Sequence, residues 1–149
     1  MWGSDAAVTM DDLKILEDYR YTLMEINAIS KQIEQLRIPM EPSAIKAAPV
    51  GEKKTGTNDQ LHAALQAADG LDAVLQAQMQ VLKRRAAAFE NVLAGIDDPR
   101  TRTVVRLYYG LGYSDEMVSR NMGISRMTAW NVRSAMIKKI KAEAEPSNG

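Results

Sequence analysis

Side chains suited to contacting nucleic-acid bases are concentrated near the C-terminal end of this 149-residue sequence. Arg126 and Asn131 can each form paired hydrogen bonds with the edge of a base, and Trp130 offers a large apolar surface. Lysines that can neutralise phosphate follow at 138 and 139. The spacing therefore predicts DNA contact by Ser125, Arg126, Met127, Thr128, Trp130, Asn131, Arg133, Lys138 and Lys139.

These residues must be positioned by helices that precede them in the chain. Asp97 or Asp98 is expected to cap a helix over residues 99–109, which has Pro99 in its first turn and stops at Gly110. Ser114 is expected to cap a short helix over residues 115–122, whose first turn is acidic and so complements the positive helix end.

The turn before the candidate contact residues is equally well marked. Gly123 can adopt the left-handed conformation of a tight turn, and Ser125 can cap a third helix. Apolar residues recur at helical spacing on the inner side of this unit, and they are Val104, Leu107, Tyr108, Leu111, Val118, Met122, Ile124, Ala129, Val132, Met136 and Ile140. The pattern predicts a helix-turn-helix whose third helix faces outward with Arg126, Met127, Trp130, Asn131 and Arg133.

The charges of the chain are unevenly divided, although its formal net charge is zero. Residues 98–141 hold nine Lys or Arg and three acids, a net of +6, whereas the remainder holds 10 basic and 16 acidic residues. This asymmetry favours a phosphate-binding C-terminal part. The alternative is a three-helix bundle with a solvated basic face.

The C-terminal motif resembles region four of bacterial sigma factors, which reads the promoter −35 element. The resemblance is carried by LYYGLGYS at 107–114, GISR at 123–126 and AMIKKI at 135–140. It implies that Arg126, Met127, Trp130 and Asn131 contact bases and phosphates. Met127 and Trp130 replace polar or charged residues of the sigma family, so recognition of the same −35 sequence is not implied.

The whole chain is similar to phage-encoded transcription regulators of the ArpU and RinA kind. The likeness lies in an acidic helical hairpin with a polar interruption, here residues 49–59, before a sigma-like helix-turn-helix. It implies regulation of phage or prophage genes, with activation of late genes by way of host RNA polymerase.

The N-terminal part predicts an antiparallel helical hairpin over residues 8–95, distinct from a DNA-binding domain over 96–141. Thr9 is expected to start the first helix, and a mobile linker is expected over 39–58. A second helix of similar length is expected to start at Thr57 or Asn58. The apolar seams are Leu16, Tyr19, Leu23, Ile26, Ile29, Ile33 and Leu36, then Leu61, Leu65, Ala68, Leu75, Met79, Leu82, Ala86, Phe89 and Leu93.

Two amphipathic helices rarely suffice for a stable fold, so this hairpin is expected to have partner helices. A homodimer or higher oligomer would supply them and would present two reading units to a two-part DNA site. Alternatively, the hairpin packs on the helix-turn-helix within one chain, giving a monomer.

Composition predicts an all-α protein and argues against several other classes. There are no cysteines, no membrane-length apolar run and no secretory leader pattern, so a cytoplasmic location in the bacterial host is expected. The single histidine, His62, lies without metal-binding or catalytic neighbours in sequence. Since the acid pairs Asp11–Asp12, Asp97–Asp98 and Asp115–Glu116 each lie at a predicted helix start, where capping and the helix dipole account for them, no enzymatic activity, metal or cofactor is expected.

Two other functions compete with transcription regulation. A small terminase subunit, which recognises packaging-site DNA, also combines a helix-turn-helix with oligomerising helices, although it usually carries the DNA-binding unit first. A third possibility is a sigma mimic that binds polymerase without DNA. The operator sequence and the sign of regulation do not follow from the sequence.

Overall fold

A computed structural model of the chain describes residues 8–37 and 54–144, with side chains from 59 onward in the second range. This described part is helical and contains no β-strand, which confirms the predicted all-α class. Its helices are α1 (Met10–Arg37), α2 (Lys54–Ala94), α3 (Pro99–Val105), α4 (Asp115–Met122) and α5 (Arg126–Ala144), and a π-helical turn, Arg106–Gly110, continues α3. None of these helices is both long and apolar enough to cross a membrane.

The start of α1 is fixed by a reciprocal pair of hydrogen bonds. The backbone N–H of Asp12 donates to Thr9 Oγ1 at 3.2 Å, and the N–H of Thr9 donates to the Asp12 carboxylate at 3.0 Å. These bonds satisfy two donors that a helix start otherwise leaves without partners. The predicted helix start at Thr9 is confirmed.

The start of α2 and the helix lengths differ from the prediction. Helix α2 begins at Lys54, ahead of the predicted Thr57 or Asn58, and has 41 residues against 28 in α1. Of the predicted linker, residues 54–58 are helical and residues 39–53 lie outside the described residues. The sequence prediction missed the first residues of α2 because it relied on apolar periodicity, and these residues are polar or glycine.

Packing divides the described residues into two compact units, one made of residues 8–24 and 81–144 and the other of residues 25–37 and 54–80. In the first unit α1 and α2 run antiparallel. The rings of Tyr19 and Phe89 stack at 4.3 Å between centroids, and Arg85 donates to Thr22 Oγ1 at 3.0 Å. In the second unit Arg37 pairs with Asp72 at 2.7 Å.

The main core of the first unit is formed by residues of α1, α2, α3 and α5, the bend that follows α2 and the π turn. It contains Leu13, Leu16, Phe89, Val92, Leu93, Ile96, Val105, Tyr109 and Ile140, each at most 4% exposed. The helix-turn-helix segment therefore shares its core with the base of the hairpin, which is the packing that the monomer alternative required. The predicted domains, a hairpin over residues 8–95 and a DNA-binding domain over residues 96–141, do not coincide with these packing units. That domain division therefore stays a prediction about which part of the chain binds DNA.

Candidate nucleic-acid interface

Helix α3 begins as the sequence predicts. The Asp98 carboxylate accepts hydrogen bonds from the N–H of Thr101 at 3.0 Å and from its hydroxyl at 2.7 Å, and Pro99 occupies the first turn. The bonds from Thr101, led by the one from its side chain, lower the pKa of Asp98. The α-helix ends at Val105, earlier than predicted, and the chain continues as a π turn to Gly110.

The short α4 and its turn into α5 also match their predicted bounds. Ser114 accepts from the N–H of Met117 at 3.3 Å. Gly123 adopts the left-handed conformation, with φ 68° and ψ 33°, and so permits the abrupt change of direction. Ser125 then accepts from the N–H of Thr128 at 3.0 Å, and its hydroxyl donates to the hydroxyl of Thr128. The caps at Ser114 and Ser125 are confirmed.

A small apolar core holds the three C-terminal helices together. Val104 of α3, Val118 of α4 and Ala129 of α5 are fully buried. Ser119 is 8% exposed, and its small side chain permits a close approach of α4 to its neighbours. Leu111 was expected in this core, but it is 50% exposed, so its assignment was wrong. It follows the π turn, where the register of the α-helix no longer applies.

The opposite side of α5 presents the candidate base-reading residues to solvent. Met127 is 65% exposed and Trp130 is 46% exposed, and Arg126 and Asn131 are exposed as well. We call these four residues the reading face. Together with the α4 start, Arg126, Met127 and Trp130 line an open groove whose other lining residues are Ser114, Asp115 and Glu116.

The other residues that were predicted to contact DNA lie outside the reading face. The hydroxyls of Ser125 and Thr128 bond each other at the helix start. Lys138 is exposed, whereas Lys139 is half-buried and lines a cavity with Ile96 and Met136.

Arg133 does not face outward, so that prediction was wrong. Its side chain is 13% exposed and reaches Asp115 with one Nη at 2.9 and 3.2 Å from the two carboxylate oxygens. Its guanidinium carbon lies 3.9 Å from the centroid of the Tyr108 ring. Burial alone would lower the pKa of Arg133, but the hydrogen bond with Asp115 and nearby negative groups raise it overall.

Several of the basic residues counted in the sequence are paired with acids. Arg106 forms a two-pronged pair with Glu90 at 2.7 and 3.0 Å, and Arg120 pairs with Glu116. With Arg133, at least three of the nine basic residues in this segment are thus bound to carboxylates. Asp115 and Glu116 are already counted in the net charge of +6, so of these three acids only Glu90, which lies outside residues 98–141, lowers the positive charge available to phosphate any further.

No family model, curated protein or solved structure matches this chain. Among the described residues, no group of three or more His, Asp or Glu side chains is arranged to hold a metal ion. The geometry of α3, α4 and α5 is therefore the structural basis on which a function is proposed.

Proposed function

We propose that this chain binds duplex DNA sequence-specifically through the reading face of α5 and acts as a transcription regulator of phage or prophage genes. The single observation that carries DNA binding is the exposure of Arg126, Met127, Trp130 and Asn131 together on the first two turns of α5. The phage context, activation of late genes and contact with host RNA polymerase rest on the family resemblance alone.

The chemistry of the reading face suits a major groove. An α-helix fits this groove, and residues near the N-terminus of a recognition helix contact base edges. Arg126 supplies a fork of donors, Asn131 supplies a donor and an acceptor, and the two apolar side chains suit the methyl group of thymine. The buried Ala129 on the opposite side keeps α5 against α3 and α4.

We further propose that two chains act together as a homodimer or a higher oligomer. In the second unit, Leu65 and Val74 of α2 are 41% and 43% exposed, and Met79 is 38% exposed. Leu65 and Met79 are two heptads apart and so share one side of α2. Covering this side with a second copy would bury it and provide two reading faces.

The test is a fluorescence anisotropy titration of the full chain with labelled duplex DNA at several salt concentrations. The full chain is required because the helix-turn-helix shares its core with α1 and α2. We expect the affinity to fall by about two orders of magnitude or more between about 50 and about 200 mM salt, because bound phosphates release counterions. An affinity that does not change with salt would contradict DNA binding.

Selection of bound fragments from the genome of a phage-carrying bacterium would then define the role. Fragments clustered upstream of genes are expected for a regulator. Fragments clustered at a packaging site would indicate the terminase function instead.

A further inference from the structure

Two arginines hold the ring of Tyr108 between them. The guanidinium carbons of Arg20 and Arg133 each lie 3.9 Å from the centroid of this ring. Two planar groups at that distance cannot share one face, so each covers a different face. We call these three residues the arginine–tyrosine clamp. Stacking of a guanidinium on an aromatic ring is favourable, and more so where water is partly excluded.

Arg20 also binds the backbone that connects α3 to α4. Its Nε donates to the carbonyl oxygen of Tyr108 at 2.9 Å, and one Nη donates to that of Tyr113 at 3.2 Å. The carbonyls at a helix end have no partner within the helix and attract cations. A residue of α1 thus binds a carbonyl of the π turn that follows α3 and a carbonyl of the connector that leads to α4.

At the other side of the ring, Arg133 links α5 to the first residue of α4. The carboxylate of Asp115 accepts both of its short contacts and is itself 22% exposed. Within the described part of the chain, the buried Nε of Arg133 has no hydrogen-bond partner. Asp115 and the Tyr108 ring therefore position this guanidinium, with Tyr109 as a further neighbour.

We infer that Arg20 and Arg133 are positioning residues through which α1 sets the orientation of α5 against α4, and with it the discrimination between DNA sequences. This inference rests on the proposed function. Arg133 and Trp130 are one turn apart on α5, so a rotation of α5 that follows loss of the clamp also moves the reading face. Base-edge hydrogen bonds weaken steeply when their geometry is disturbed.

The experiment compares Arg20→Met with Arg85→Met. Arg85 is a matched control because it donates from α2 to Thr22 of α1 and takes no part in the clamp. Dissociation constants are measured for a selected duplex and a scrambled duplex, at a temperature where circular dichroism shows each variant folded. We expect Arg20→Met to reduce the ratio of the two constants by about fivefold to tenfold, and Arg85→Met to leave it unchanged.

Two variants at Tyr108 distinguish the loss of the aromatic ring from the effect of any substitution at this residue. Tyr108→Phe keeps both ring faces and should retain the ratio, whereas Tyr108→Leu should reduce it as Arg20→Met does. An unchanged ratio in both Arg20→Met and Tyr108→Leu would overturn the clamp.

Amide hydrogen exchange tests the clamp in the absence of DNA. Arg20→Met should speed amide exchange in α4 and α5 relative to α1, and Arg85→Met should not. Similar exchange patterns in the two variants would overturn the inference. If the unaltered chain binds no DNA but the exchange result is as expected, the proposed function fails while the clamp stands as a structural link.

Discussion

At the scale of single residues, Trp130 is the clearest sign of a binding surface. Nearly half of this large side chain is in contact with water, beside a still more exposed Met127. Single exposed apolar residues are common on proteins, but two on one helix face beside Arg126 form a patch that suits a partner with both apolar and polar groups. The methyl and carbonyl groups of thymine have this combination.

Replacing thymine by deoxyuridine, one position at a time in a selected duplex, tests this contact. We expect one replacement to weaken binding by about 0.8 kcal/mol, the value of one buried methyl group. Trp130→Ala should bind more weakly and should no longer respond to that replacement. A Trp130→Ala protein that is as sensitive as the unaltered chain would assign the methyl contact to another residue.

The Asp98 cap predicts a pH dependence of stability. Asp98→Ala should lower the free energy of unfolding by about 1 kcal/mol near neutral pH. Because the folded-state pKa of Asp98 is below its ordinary value of 3.8, the contribution is complete above 3.8 and is lost as the pH falls through the lowered pKa. Urea unfolding of both proteins at pH 6 and pH 2 measures this, and an equal difference at both values would contradict the cap.

The sequence was a good guide to contacts between near neighbours and a poor one to contacts between distant residues. The caps at Ser114 and Ser125 use partners three residues away, so spacing alone predicts them. Arg133 pairs with Asp115, which lies 18 residues earlier in the chain, and Arg20 donates to the backbone carbonyl of Tyr108, which lies 88 residues later. Helical register placed Arg133 outside, since nothing local indicates that Asp115 and Tyr108 approach it.

At the scale of elements, the helices differ in how closely their neighbours approach them. The backbone of α2 at Gly70 is open, and a Cβ built there meets nothing within 4 Å. At Gly110, in the π turn, a Cβ would lie 3.0 Å from the ring of Phe89. The turn therefore approaches α2 so closely that a side chain at residue 110 would require the Phe89 ring to shift, whereas the sequence suggested this glycine only as a helix stop.

Substitution of each glycine by alanine should have opposite effects on stability. Gly70→Ala should raise the free energy of unfolding by about 0.5–1 kcal/mol, because alanine favours the helix. Gly110→Ala should lower it by about 1–3 kcal/mol, because the added methyl group forces Phe89 to move. Urea denaturation measures both changes, provided that the dependence of the unfolding free energy on urea concentration is the same in each variant. A stabilising Gly110→Ala would contradict the described packing.

At the scale of the whole molecule, the hairpin and the helix-turn-helix are not independent parts. Leu16 of α1 is fully buried in the same core as Val105 of α3 and Ile140 of α5. Among the described residues, the members of that core all belong to the first unit, and the exposed α2 residues of the second unit are the ones proposed to meet another chain.

Leu65→Glu combined with Met79→Glu tests this assembly. Since both side chains are already well exposed, the double variant should stay folded but dissociate, because charges would be buried in the contact between copies. Leu111→Glu, at a similarly exposed residue of the first unit, is the matched control and should keep the oligomer. Light scattering at tens of micromolar gives the mass. A monomeric unaltered chain would contradict the oligomer and favour a single reading unit.

The central claim is that α5 reads DNA, and paired titrations of α5 variants on a selected and a scrambled duplex test it most directly. Arg126→Ala and Asn131→Ala should each cost about 1–3 kcal/mol on the selected duplex and little on the scrambled one, because base contacts carry the specificity. Lys138→Ala, on the later part of α5, should weaken binding to both about equally. If Arg126→Ala and Asn131→Ala leave the ratio of the two affinities unchanged, α5 is not the recognition helix and the account is wrong.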